Sequence, residues 1–290
     1  MALRKIMNRS EEITYEAVKE ICEKYKARVF PKVNLNDVFE LKKSELPYDL
    51  FNYGQRAHFD LLVCNELGYP LFVVEFDGPY HKHDENTIVR DQKKNALCEI
   101  NNLPILRVTN EHFDEQATNM NLLTWFIEVW FALEWFQKAQ KDGKYIDESF
   151  SPWSLITLPK REEKFPLWLS INTRAKIQKL HQQNLIEDMV PSCSVWTKNW
   201  EEFICIAWVK IDRNSAVMVE SRMQSQNFPA PIHDLIEDLT INQLYKKLLT
   251  VINGDGNQAV FPGIINLRIS EMNQVYVHPI SGGGQCEYQN

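Results

Sequence analysis

Two short apolar runs in the N-terminal half set the frame of the chain. Residues 59–64 (FDLLVC) are apolar except for Asp60, and residues 71–76 (LFVVEF) are apolar until Glu75. Short continuous apolar runs rich in β-branched and aromatic residues and bounded by turn residues predict buried strands. Between them NELGYP supplies the Asn, Gly and Pro of a turn, so the two strands are expected to pair as a hairpin.

The flanks extend this pattern. Ile13, Ala17, Val18, Ile21 and Cys22 recur at helical spacing over residues 10–26, with Ser10 placed to cap the start. Residues 28–33 read as a strand, which Pro31 assigns to a sheet edge or a bend because proline donates no ladder hydrogen bond. Residues 34–55 read as a long irregular connection. Residues 77–86 form a loop broken by Gly78 and Pro79. Residues 87–101 predict a helix with Ile88, Ala96, Leu97 and Ile100 on its inner side, and residues 104–108 a further strand. The order helix, strand, strand, strand, helix, strand is that of a compact α/β (α+β) unit ending near residue 145.

Residues 122–136 (LLTWFIEVWFALEWF) are the most apolar segment. They fall short of the roughly 20 residues that a membrane span needs, and they contain Glu128 and Glu134. A helix buried on most sides is the prediction, with no membrane association. Homo-oligomer assembly through a helix over 120–136 is the alternative. Residues 146–166 read as a linker. Beyond it, 173–187 predicts a helix with Ile177, Leu180 and Leu185 inward, 203–211 and 215–223 predict strands, and 232–252 another helix. Residues 1–145 and 167–290 are thus expected to form a larger and a smaller α+β domain.

Composition narrows the function classes. The 290 residues are 44% hydrophobic and 24% charged, which is globular, and the net charge is -7. That charge excludes a general basic coat for nucleic acid and leaves a local patch or metal ions as the means of contact. Six cysteines show no CxxC spacing, as expected of reduced thiols in a cytoplasmic protein. The start, MALRKIMNRSEE, has no apolar h-region.

The chemistry centres on Asp60 and Glu75. A carboxylate in an apolar strand is costly to bury alone, and two on neighbouring strands suit a hard divalent cation. The backbone carbonyl of Phe76 is a further candidate ligand. The helix that follows carries Arg90, Asp91, Lys93 and Lys94, with Arg90 and Lys94 an i,i+4 pair, a cationic surface suited to phosphate.

These residues resemble a known family. Asp60, then EFDGPYH (Glu75 to His81), RDQKK (Arg90 to Lys94) and LPILRV (Leu103 to Val108) are similar to the PD-(D/E)XK nuclease superfamily, closest to its DUF2726-type branch, as is the upstream YKARVFPKVNLNDVF. The resemblance covers roughly residues 10–115. It implies a restriction-endonuclease-like α-β-β-β-α-β core and hydrolysis of nucleic-acid phosphodiesters with Mg²⁺ or Mn²⁺, on DNA ahead of RNA, in repair, recombination or defence. Carried over by position, Asp60 and Glu75 hold the metal, and Glu11 or Glu12 matches the accessory acid of the first helix. The position two after the second acid, where the superfamily has its catalytic lysine, holds Asp77, and Lys94 matches the lysine that migrates to the following helix. Asp77 and His81 join the catalytic group, while Arg90, Lys93 and Arg107 contact substrate.

Each residue also has a plainer role. Asp60 and Glu75 suit structural ion pairs, with Arg56 or Arg107 as partner for Asp60. Asp77 with Gly78 suits a turn, His81 packing on Tyr80, Lys93 a solvated face, and Arg107 a bridge between strand and helix. The matching alternative function is a catalytically degenerate module that binds nucleic acid or a protein partner. In the C-terminal half, the order of elements is similar to that of double-stranded-RNA-binding domains, but the helix start HDLIEDL is acidic where that family is basic. Trp196 and Trp200 are candidates for stacking on bases, although most of the eight tryptophans are expected in the core.

Overall fold

The computed structural model describes residues 5–78, 85–254, 258–276 and 278–280. The chain divides into two compact units. The first comprises Met1–Glu115, Asn121–Glu148 and Gln226–Ala230, and the second Gln116–Met120, Ser149–Ser225 and Pro231–Asn290. Residues 149–166, expected as linker, thus count with the second unit, and a five-residue return, Gln226–Ala230, counts with the first.

In the first unit α1 (Arg9–Glu23) is capped by Asn8, not Ser10. Asn8 Oδ1 accepts the Glu11 N–H at 2.9 Å, and the Glu11 carboxylate accepts the Asn8 N–H at 3.0 Å, a reciprocal capping box. β1 (Arg28–Asn34) follows. Residues 34–55 hold two short helices, α2 (Leu35–Val38) and α3 (Tyr48–Gly54), in place of the irregular connection. Each buries one leucine, Leu35 and Leu50, and neither is long enough to show a period.

β2 (His58–Cys64) and β3 (Pro70–Phe76) form the expected hairpin. α4 (Glu85–Ile100) leads to β4 (Ile105–Val108). The sheet order is β1-β2-β3-β4, antiparallel except for the parallel pair β3–β4. β1 is therefore an edge strand, where Pro31 removes no interior ladder bond.

One sheet face packs on α4 and the short helices: Leu62, Cys64, Val73 and Ile105 share a core with Leu35, Leu50, Leu97 and Cys98. On the other lies α5 (Leu122–Lys141), with Trp130 and Phe131 against Phe72. The aromatic helix buries Trp125, Phe126, Ile127 and Trp130, whereas Trp135 is exposed. Its fully buried Glu128 pairs with Lys24, just past the end of α1, at 2.8 Å. Among the described residues no helix is long and apolar enough to cross a membrane. The return segment covers the free edge of β4: Asn227 O accepts the Ile105 N–H at 2.8 Å, Gln226 exchanges hydrogen bonds with the Arg107 backbone, and Phe228 packs on Phe72.

α4 is rotated from the sequence expectation. Lys94, Leu97 and Cys98 face inward, whereas Ile88 and Ile100 are 41% and 57% exposed. Lys94 sits one turn before Leu97 and Cys98, so the packing that buries them carries the lysine with it.

After a short ribbon, β5 (Glu115–Ala117) and β6 (Met120–Asn121), the second unit contains α6 (Ile171–Gln182), β7 (Ser192–Lys198), β8 (Glu202–Lys210), β9 (Ala216–Gln224) and α7 (Ile232–Ile252). α8 (Pro262–Val275) and β10 (His278–Ile280) complete it, in the sheet order β10-β7-β8-β9. Ala207, Val209 and Val217 pack under α6 and α7, while Ile204, Ile206 and Trp208 pack under α8. Neither β7 nor α8 is anticipated by the sequence pattern, and Leu185, expected inward, is exposed. Trp196 is buried, and Trp200, in the β7–β8 turn, is exposed. The buried Asp238 of α7 accepts the Leu169 N–H at 2.8 Å and the Ser170 hydroxyl, and Arg174 pairs with Glu237.

The rotation of α4 gives a stability test. Leu97→Ala should lower unfolding free energy by about 2–5 kcal/mol, and Ile100→Ala by roughly 0.5 kcal/mol or less, in urea titrations. Equal losses would contradict the inward face described.

Candidate active site

The β2–β3 register pairs Leu61 with Val74, which sets Asp60 opposite Glu75 on one face of the sheet. Each carboxylate is tied to the other strand's backbone. Asp60 Oδ2 accepts the Phe76 N–H at 3.1 Å, and Glu75 Oε1 accepts the Asp60 N–H at 3.1 Å. Their other oxygens meet two lysines. Lys94 Nζ, from the inner face of α4, lies 2.5 Å from Glu75 Oε2 and donates to the His58 carbonyl at 3.1 Å. Lys32 Nζ, from β1, lies 2.7 Å from Asp60 Oδ1 and 3.0 Å from Glu11 Oε1.

Lys32 is the residue that sequence reasoning missed. Its φ is 54°, a left-handed conformation inside a strand, which costs a non-glycine residue on the order of 1–2 kcal/mol. Its only signal is its place in the motif after Pro31, because a lysine on an edge strand ordinarily faces water.

Asp60, Glu75 and Lys94 line a cleft of about 1180 Å³, with Glu11 beside them. Arg9, Arg56, Arg90 and Lys93 also line it. Lys93 pairs with the exposed Asp49 at 3.1 Å. Arg9, Arg56 and Arg90 are exposed and form no ion pair among the described residues.

Other expected site residues fall elsewhere. Glu12, one of the two candidates for the accessory acid, pairs with Lys5 at 2.7 Å and does not line the cleft. Glu11 faces it instead, because the capping box fixes the register of the first turn. Asp77 and Arg107 are absent from the cleft lining. Arg107 Nη1 lies 2.9 Å from Asp77 and 3.2 Å from Asp91, and its guanidinium also donates to Asn95. It joins β4 to α4 as a bridge, and the Asp77 carboxylate is part of that bridge. His81 lies outside the described residues.

Burial and charge set the titration of the centre. Burial pushes Glu75 up to about 7; Lys94 works against the rise and the Asp60 charge adds to it. Burial also acts to raise Asp60, but the hydrogen bond and charge of Lys32 hold it below the usual carboxylate range. For Lys32, burial disfavours the charge and the carboxylates of Asp60 and Glu11 outweigh it, so its pKa is raised. Burial, Lys32 and Lys94 together lower the pKa of His58, which lines the cleft.

Residues 3–123 match the model of a family described as "Protein of unknown function (DUF2726)". No curated protein and no solved structure matches the chain. The matched segment contains all of the clustered residues, from Glu11 to Lys94.

Because Glu75 binds its proton more tightly in the folded state, its contribution to stability is fully present below about pH 4.5 and is lost as pH rises through about 7. Across that window wild type should lose on the order of 1–3 kcal/mol that Glu75→Gln does not lose, in urea titrations at fixed pH steps. A parallel pair of profiles would refute the raised pKa.

Proposed function

We propose that the first unit is a metal-dependent nuclease of restriction-endonuclease-like core, hydrolysing phosphodiester bonds in a nucleic acid, with DNA the favoured substrate. The observation that carries this reading is the Asp60–Glu75 pair on one face of adjoining strands, at the wall of a cleft, with Lys94 against Glu75. The mixed four-stranded sheet, with α1 before it and α4 between β3 and β4, supports it, although α2 and α3 interrupt the expected order between β1 and β2.

The donor set fits Mg²⁺ or Mn²⁺. Among the described residues no group of three or more His, Cys, Asp and Glu side chains can hold a metal ion. The two acids offer only hard oxygen donors, and Mg²⁺ commonly takes one or two carboxylates, leaving its other positions to water and substrate phosphate. Asp60 and Glu75 would hold the ion. A bound divalent ion supplies charge relief to a phosphoryl group and makes water more acidic.

The chain's own groups do the rest. Lys94 places a positive charge at the cleft wall, where it stabilises charge that develops on a phosphate oxygen. Arg9, Arg56 and Arg90 present exposed guanidinium groups to the flanking phosphates, and Lys93 adds a further charge. This local basic patch reconciles nucleic-acid contact with a net charge of -7.

One observation favours a second reading. Each carboxylate already faces a lysine, so the charges are balanced in part without an ion. A non-catalytic module that binds nucleic acid or a protein partner accounts for that balance. Cleavage of single- and double-stranded DNA and RNA with Mg²⁺ or Mn²⁺ separates the two. Wild type should cleave, and Glu75→Ala and Asp60→Asn should be slower by on the order of 100-fold or more. Equal rates in all three proteins would exclude the enzyme, and binding without cleavage would favour the module.

A further inference from the structure

The β2–β3 hairpin ends in a turn that is tied down and yet presents apolar side chains to solvent. Asn65 Oδ1 accepts the Leu67 and Tyr69 N–H groups, each at 3.0 Å, and the Asn65 N–H donates to the Tyr69 carbonyl at 2.9 Å. A turn closed by its own asparagine side chain has little freedom to fold onto the surface beside it. Leu67 is 82% exposed and Tyr69 67%.

Next to this turn lies a groove of about 560 Å³. Leu67 and Leu71 line it from the hairpin, Tyr25 from just past α1, and Trp130 and Phe131 from α5. The Tyr25 and Phe131 rings stack at 4.0 Å and 8°. Trp130 is buried, and its indole N–H has no hydrogen-bond partner among the described residues. A buried donor left unpaired is costly. The charged members of the lining are both acidic, Glu66 and Glu134, and both are exposed. Glu66 has a long contact to the exposed Lys26, at 3.8 Å, and Glu134 forms no ion pair among the described residues. No residue of this lining lines the cleft of the acid pair.

We propose that the groove docks a short basic segment of a partner protein. The segment sets an arginine against the aromatic lining, within reach of Glu66 and Glu134, and apolar residues against Leu67 and Leu71. Guanidinium groups stack on aromatic rings and pair with carboxylates, which makes arginine the cation this lining suits best. A peptide backbone also brings carbonyl acceptors, the group that the Trp130 donor lacks. The two carboxylates repel the phosphates of nucleic acid and of anionic lipid, so the groove is not an extension of the substrate path. The partner binds apart from the acid pair, and its docking is independent of the nuclease reading.

The test is nuclear magnetic resonance of the isotope-labelled full chain, titrated with two acetylated and amidated peptides, GLRLG and GLELG. Trp130→Phe assigns the Trp130 indole signal. The arginine peptide should shift that signal and the Leu67 and Leu71 amides until they saturate, and the glutamate peptide should leave them in place. The double variant Glu66→Lys/Glu134→Lys, changed at two exposed positions, should keep the remaining spectrum native and bind the arginine peptide about tenfold more weakly or worse. Equal shifts with both peptides, or none with either, would overturn the proposal, as would unchanged binding in the double variant. Shifts of the same signals on dilution of the free chain would assign the groove to a second copy of this chain. Shifts with a DNA oligonucleotide would assign it to nucleic acid, and either result ends the proposal.

Discussion

The first unit turns on a reciprocal clasp between two neighbouring strands. Asp60 and Glu75 each accept a backbone N–H from the opposite strand, and each then faces an ammonium brought from a third element. A buried carboxylate is tolerable only when its charge is answered, so the positions of β1 and α4 follow from the acids as much as from the apolar core. α4 has to present Lys94 inward, and β1 has to leave regular strand geometry to deliver Lys32.

That requirement explains which parts of the chain the sequence reveals. The β2–β3 hairpin and β4 are plain in the apolar runs, because strands buried on both faces leave continuous hydrophobic segments. The acid pair is visible as two polar exceptions in those runs. The inner face of α4 is not, because hydrophobicity assigns Ile88 and Ile100 inward and an ammonium outward, whereas pairing with Glu75 reverses the choice. Lys32 is hidden for the same reason: backbone conformation and ion pairing, neither of which has a period, decide where it points. The sequence leaves Glu11 and Glu12 both open as the accessory acid, since the cap at Asn8 and not Ser10 sets which glutamate faces the cleft. In the second unit β7 and α8 escaped notice, the strand for its mixed composition, SCSVWTK, and the helix for its scattered apolar residues.

The two lysines are not equivalent. Lys94 rides on a helix whose orientation is fixed by Leu97 and Cys98, so its place is secured by packing. Lys32 is secured by its ion pairs alone, on an edge strand and against the preference of its backbone. Arg107 shows a third use of a cation in the same region: with Asp77, Asp91 and Asn95 it stitches β4 to α4, and the position that the family resemblance reserves for a lysine becomes part of that stitch.

The return of residues 226–230 to the first unit has a consequence for how the chain is made. β4 gains its outer partner, and Phe72 one of its aromatic neighbours, only from a segment more than a hundred residues downstream. A nascent chain that has emerged as far as residue 148 still carries an open sheet margin and lacks one aromatic neighbour of Phe72. The N-terminal unit therefore reaches its finished form late in synthesis, and a fragment cut between the apparent halves is the same unfinished object.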